Sequence, residues 1–232
     1  MAEAPQFPAR ATYAPEAFDV LNEQMARSII LTPEFGHSTE HRWATETPYL
    51  ADLLSEWLAP TKDMVILDYG SGIGRLAKAL IERHGCQVIG VDISLSMRVL
   101  AEVHVKSDRF TAVSPALFET LLARGLRCDA AISIWVLQHC FTPDQDIATM
   151  RRALKPGAKL SVVNTVVRSV PTRELGFGND GLDILDMLRR QFTVASVGKL
   201  DPAILAAKAV EGSFIAQLTN DPPASVPVAA RG

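Results

Sequence analysis

The stretch VILDYGSGIGRLAKAL, residues 65–80, decides the fold. Its first residues are a short apolar run of strand character, and Leu76 and Leu80 then recur at helical spacing. Between them Gly70, Gly72 and Gly74 give a chain that turns tightly and can approach a ligand without a Cβ in the way. A dinucleotide-binding fingerprint reads G-x-G-x-x-G, and its third glycine would fall where Arg75 stands. Asp68 adds a carboxylate at the strand end, which suits an ammonium group better than a diphosphate.

Outward from this stretch, strands and helices alternate. The strands are MVILDY (64–69), QVIGVD (87–92), RFTAV (109–113), CDAAISI (128–134) and AKLSVVN (158–164). Helices are expected over RLAKALIERH, stopped by Gly85, then over 95–105 and 115–124, and from a Thr142 cap and Pro143 through Leu154. Ahead of them, Phe18, Leu21, Met25, Ile29 and Ile30 predict a leading helix over 16–31. Thr47 and Pro48 predict the start of a second, carrying Leu50, Leu53, Leu54, Trp57 and Leu58. After the fifth strand the rotation changes: a helix over 181–191 precedes FTVASVG and SFIAQLT, which read as an antiparallel pair joined by the 199–212 excursion without a full helix. Strict rotation up to that point means an α/β fold, a mostly parallel sheet with helices on both faces.

The chain has 232 residues, 48% of them apolar, enough to bury one large core. A net charge of −3 and a pI near 6.0 give no basic excess, so nucleic acid is not the expected partner. Cys86, Cys128 and Cys140 lack C-x-x-C spacing and read as reduced thiols, and no metal site is expected. With no run long enough to span a bilayer and no leader-like start, the expectation is a cytoplasmic protein without a membrane partner. Oligomeric state is not legible.

Asp92 ends the second strand, at the distance downstream where a carboxylate can accept both hydroxyls of an unphosphorylated ribose. With these residues in place, the sequence resembles the class I S-adenosylmethionine-dependent methyltransferases. VILDYGSGIGRLAKAL is similar to their first motif and VIGVDIS to their second, and ISIWVLQH and LKPGAKLSVV are similar to later ones. The resemblance implies a Rossmann-like seven-stranded sheet in the order 3-2-1-4-5-7-6, its last strand antiparallel. It also implies S-adenosyl-L-methionine as cofactor, with S-adenosyl-L-homocysteine as product. By that resemblance Asp68, Gly70, Ser71 and Gly72 line the methionine side, Asp92 holds the ribose, and Ile93 and Met97 pack on the adenine. Ser114 and Pro115 would lie at the adenine edge, and Trp135 and Val136 beside the methionine. Many relatives carry an acid near Ser114, a departure in this chain. The implied organisation is a cap or lid segment over 1–47 with a flexible start, a cofactor-binding domain over 48–219 and a disordered tail over 220–232.

Methyl transfer from a sulfonium is an in-line displacement in which positioning does much of the work. A base is needed only when the acceptor carries a proton that must leave. His139, at the rim after the fourth strand, is the candidate base; the alternative is a histidine that only bonds a neighbouring loop. His37, His41, Arg42 and Trp43 in GHSTEHRW, and Arg168, Arg173 and Asp180 in the long loop 165–181, are candidates for substrate contact. The alternative for each is a solvated or anchoring side chain. NDPP at 220–223 resembles an amino-methylation motif but stands past the last strand, and Cys140 lacks the proline of a nucleophilic cysteine motif. The expected activity is methylation at O or N of a small-molecule acceptor. The alternatives are a protein or RNA methyltransferase of the same fold, an NAD-dependent oxidoreductase, and a non-catalytic partner protein.

Overall fold

The computed structural model describes residues 10–221. The expected flexible start and the tail from residue 222 onward lie outside the described residues. Strands are β1 (Val65–Tyr69), β2 (Gln87–Val91), β3 (Phe110–Val113), β4 (Cys128–Ile134), β5 (Leu154–Thr165), β6 (Val170–Thr172), β7 (Gly176–Gly178), β8 (Thr193–Gly198) and β9 (Ser213–Thr219). Helices are α1 (Glu23–Ile30), α2 (Thr39–Leu58), α3 (Arg75–His84), α4 (Leu95–Val105), α5 (Pro115–Ala123), α6 (Pro143–Ala153), α7 (Ile184–Gln191) and α8 (Ala207–Glu211). A one-turn 3-10 helix, Pro15–Phe18, precedes them.

The seven-stranded sheet runs β3-β2-β1-β4-β5-β9-β8, and β9 is antiparallel to both neighbours. This is the expected topology, with a small separate hairpin, β6–β7, added inside the 165–181 loop. Strand alternation divides the core into two layers. Leu67 and Tyr69 of β1 pack toward α5, α6 and α7 with Phe118, Ile147 and Leu188. Ile66 faces α2, α3 and α4 with Leu54, Leu80 and Val105. The order reverses between β1 and β4, and in such sheets the crevice at the strands' carboxyl ends is the place for a ligand.

Three expectations need correction. The second helix does not begin at Pro48: Ser38 caps it by accepting from the N–H of His41, and Pro48 lies inside α2. The proline removes the donor for the Ala44 carbonyl, and because Ala44 and Pro48 are both exposed, water can take that bond. The expected boundary at 47/48 therefore falls within one helix. The leading helix is split, because Asn22 caps α1 at the N–H of Met25. That break leaves Leu21 90% exposed, away from any helical face. The 199–212 excursion holds no full helix, as expected, and its one helical segment is the five-residue α8. Asn220 is not tail: its side-chain amide donates to the carbonyls of Arg151, Leu154 and Lys155, pinning the end of β9 to the turn between α6 and β5. Among the described residues no helix is long and apolar enough to cross a membrane.

Gly74 caps α3 in the left-handed region, at φ 75°, and a Cβ there would meet Val105 Cγ2 at 2.4 Å. Gly74→Ala should lower the unfolding free energy by about 2–4 kcal/mol, the sum of a left-handed penalty and overpacking. Urea denaturation checks this; an unchanged midpoint and slope would show that the loop relaxes freely.

Candidate functional site

A cavity of about 850 Å³ opens at the carboxyl ends of β1, β2, β4 and β5. Its floor is the glycine loop, tied to the end of β2 by bonds from Gly70 N and Ser71 N to the Val91 carbonyl at 2.7 and 3.0 Å. Gly70 holds φ 80° and lies under the Val136 side chain, which a Cβ would strike at 2.3 Å. Gly72 N donates to Asp92 Oδ2 at 2.8 Å, and Ser94 N donates to Asp92 Oδ1 at 2.9 Å. Burial raises the Asp92 carboxyl above its ordinary value, and these two backbone bonds oppose the shift. Each of its oxygens keeps a further acceptor position.

Two buried charges of opposite sign face the cavity. Asp68 is 4% exposed, and desolvation, reinforced by the neighbouring Asp92, pushes its carboxyl up to about 7. Arg75, at the first residue of α3, is 5% exposed, and burial brings it down to about 10. Arg75 bonds Thr47 Oγ1 at 3.2 Å and lies 5.6 Å from the centre of the Trp43 ring. Among the described residues neither Asp68 nor Arg75 has an ion-pair partner within 4.0 Å. Buried charges are normally paired, so each has capacity for a ligand group of opposite charge. Three further buried polar atoms on cavity-lining residues, Ser71 Oγ, Trp135 Nε1 and Gln138 Oε1, have no protein partner. Trp135 also sits at φ 62°, an uncommon conformation for a bulky residue, at the end of β4.

The far end of the cavity is aromatic. His139 Nδ1 lies 2.6 Å from the Ser169 carbonyl, and since a carbonyl only accepts, Nδ1 carries the proton. Nε2 is then the lone-pair nitrogen, 3.3 Å from the Gln138 amide nitrogen. Burial holds His139 below its ordinary value, so the imidazole is neutral near pH 7. Its ring packs against Phe18 at 5.5 Å and Phe177 at 6.0 Å, while Tyr13 stacks on Phe141 at 5.3 Å. Tyr13 and Phe18 reach this place because the chain start is strapped to the β6–β7 hairpin. Ala14 N donates to the Pro171 carbonyl at 3.0 Å, and Arg173 N donates to that of Thr12 at 3.0 Å.

The cavity brings together Asp68, Gly70, Ser71, Gly72, Asp92, Ile93, Met97, Pro115, Trp135, Val136 and His139, as the motifs suggest. Ser114 is not on its wall; its hydroxyl caps α5 at the N–H of Leu117. His37 and His41 meet edge to face at 4.7 Å outside the cavity, and Trp43 carries the Arg27 guanidinium at 4.5 Å. Arg173 pairs with Glu16 on the surface. Arg42 does line the cavity, but Glu46 at 2.6 Å and Glu34 at 3.0 Å take its charge. Arg168 also lines the cavity, but its buried side chain forks onto Asp180 and donates to the Leu137 and Cys140 carbonyls, so its donors are spent on bracing the wall. Reading the sequence missed Arg75 as a wall residue, along with Tyr13, Phe18, Tyr69, Gln138, Phe141 and Asp146. Only Arg75 carried a signal, as the charged residue displacing the third glycine.

A family model described as a methyltransferase domain matches residues 67–162. The Roseobacter denitrificans ubiquinone biosynthesis O-methyltransferase is 32% identical over 47% of this chain and 44% of its own length. The Streptomyces griseus N-demethylindolmycin N-methyltransferase is 33% identical over 45% of this chain and 46% of its own. The chain thus spans about half the length of the curated relatives it matches. Among solved structures, the [4+2]-cyclase SpnF superposes with a TM-score of 0.58 at 21% identity, over 75% of this chain and 80% of that one, a likeness of fold.

The Asp68 carboxyl, raised to about 7 in the folded chain from an ordinary 3.8, gives a signed prediction. Its contribution to stability is complete below the unfolded value and is lost as pH rises through the folded one. Between about pH 5 and 8, the ligand-free protein should lose more unfolding free energy than Asp68→Asn does, as chemical denaturation at both ends of that range would measure. Equal losses would mean that Asp68 ionises without penalty.

Proposed function

Because the chain carries a methyltransferase domain of the class I S-adenosylmethionine-dependent family, we propose that it methylates O or N of a small-molecule acceptor. The observation that carries this reading is the pair of unpaired buried charges, Asp68 and Arg75, in one cavity with Asp92 one strand away. An amino-acid tail presents an ammonium and a carboxylate together, and Asp68 and Arg75 complement those two groups. Asp92, fixed by two backbone donors, suits a ribose diol. Gly70 and Gly72 let the Val136 and Ile30 side chains close directly onto the loop, and Trp135 Nε1 and Ser71 Oγ offer hydrogen bonds along it. An NAD-dependent reading fits less well, since Asp68 would face a diphosphate.

When bound, S-adenosylmethionine supplies an electrophilic methyl group on a sulfonium. The chain's residues would hold the acceptor in line and exclude water with the Tyr13, Phe18 and Phe177 roof. His139, neutral and with Nε2 as its lone-pair atom, would take a proton from a phenol or amine acceptor after the Gln138 amide moves aside. The acidic pI and the aromatic, enclosed far end support a small acceptor over a nucleic acid or protein chain. The three free thiols support a cytoplasmic location.

Asp92→Ala should weaken S-adenosylhomocysteine binding by about 1.5–3 kcal/mol, roughly ten- to a hundredfold, through loss of charge-assisted ribose bonds. Isothermal titration of both proteins checks this, and unchanged affinity would remove Asp92 from the site. With methyl-labelled S-adenosylmethionine and a cell extract, label should appear in the small-molecule fraction. Label confined to protein or RNA would reverse the choice of acceptor.

A further inference from the structure

The far end of the cavity holds an acid that the proposed reaction does not use. Asp146 lies in the first turn of α6 and lines the cavity. Tyr69, at the end of β1 on the face that packs toward α6, donates its hydroxyl to Asp146 Oδ1 at 2.5 Å, and the Cys140 thiol borders the same carboxylate. Among the described residues no cation pairs with Asp146. The nearest guanidinium, Arg168, is committed to Asp180 at 2.7 and 2.8 Å and to two carbonyls. Lys208 lines the cavity from α8, over the Phe35 ring at 5.9 Å.

A first-turn acid stabilises its helix through the macrodipole, and Asp144 in the same turn does that from an exposed position. Asp146 is withdrawn from solvent instead; burial disfavours its ionised form, while the Tyr69 and Cys140 hydrogen bonds support the carboxylate. The surrounding walls are aromatic: Tyr13 stacked on Phe141, with Phe18 against His139. An anionic group short of a cation, in an enclosure of π-faces, is the recognition chemistry of an organic ammonium, because both parts attract positive charge and the rings also take the apolar body. A neutral phenol or an organic anion would leave the carboxylate uncompensated or repelled.

We propose that the acceptor is a small, cationic amine, its ammonium held by Asp146 and its apolar body by the rings of Tyr13, Phe18 and Phe141; the ammonium gives one proton to His139 Nε2 before the nitrogen forms its bond to the methyl carbon, as the carbon–sulfur bond of the sulfonium breaks and S-adenosylhomocysteine leaves. The assignment rests on the methyltransferase reading for the word acceptor; the amine site itself does not. Tyr69 orients the carboxylate and Arg168 stiffens the segment that carries Cys140.

Calorimetry with benzylamine, a cation at neutral pH, and benzyl alcohol, its neutral counterpart, tests this on the full chain saturated with S-adenosylhomocysteine. Benzylamine should bind about tenfold or more tighter, the scale of a desolvated cation on rings and a carboxylate. Asp146→Asn should bring the two within about twofold while S-adenosylhomocysteine affinity is retained. Tyr13→Leu, on the surface strap where loss of fold is not at issue, should weaken benzylamine about fivefold and benzyl alcohol less. Equal binding of the two probes, a preference that survives Asp146→Asn, or no benzylamine binding would overturn the proposal. Failure of S-adenosylhomocysteine to bind would instead strike the methyltransferase reading, and the amine preference would then be measured on the ligand-free protein.

Discussion

The site depends on one carboxylate shared between two backbone segments. Asp92 accepts from Gly72 N on one side and from Ser94 N on the other, so the glycine loop after β1 and the start of α4 are held against the same point at the end of β2. Gly70 N and Ser71 N, both bonded to the Val91 carbonyl, close the loop from the other direction. The loop has to pass this close because β1 is central in the sheet and the strand order reverses beside it. Glycine supplies the left-handed backbone the turn requires, and the small Gly90 of β2 leaves room for the Ser71 side chain next to Phe110.

From this fixed point the cavity separates into two chemical halves. Near the loop the wall is charged, with Asp68 and Arg75 buried and, among the described residues, without an ion pair within 4.0 Å; longer-range attraction between them, and of Glu46 for Arg75, offsets part of the desolvation cost. Beyond Trp135 the wall turns aromatic, and its carboxylate, Asp146, comes from the opposite face of the sheet through the strand alternation that points Tyr69 toward α6. The two halves are closed by different devices. Ile30 of α1 lies over Gly72, where a Cβ would meet it at 2.8 Å, whereas the strap of Thr12 to Phe18 and the β6–β7 hairpin roof the aromatic half.

How much of this was legible follows from range. The strands, α3, α4 and the antiparallel close of the sheet show as periods and turn residues within a dozen positions, and CDAAISI and SFIAQLT fall on β4 and β9 with their bounds intact. The glycine-loop half of the cavity was legible for the same reason, since its residues follow strand ends. Pro48 misled because a proline at a helix start and a proline on the exposed side of a helix look alike without knowledge of Ser38 as the cap. The aromatic half is long-range: Tyr13 meets Phe141, and Tyr69 meets Asp146. No local pattern encodes those contacts. Arg168 and Arg173 stand in the same loop and look equivalent in sequence, yet one is a buried brace and the other a surface ion pair.

The central claim is that the charged half takes an adenosyl amino acid, and the most direct test is calorimetric titration of the full chain with S-adenosylhomocysteine, with NAD as the matched control. One-to-one binding of S-adenosylhomocysteine, tightening as pH rises through the Asp68 value of about 7 while NAD gives no heat, is the result this account predicts. Binding of NAD in preference, or no binding of S-adenosylhomocysteine by protein shown to be folded, would contradict it.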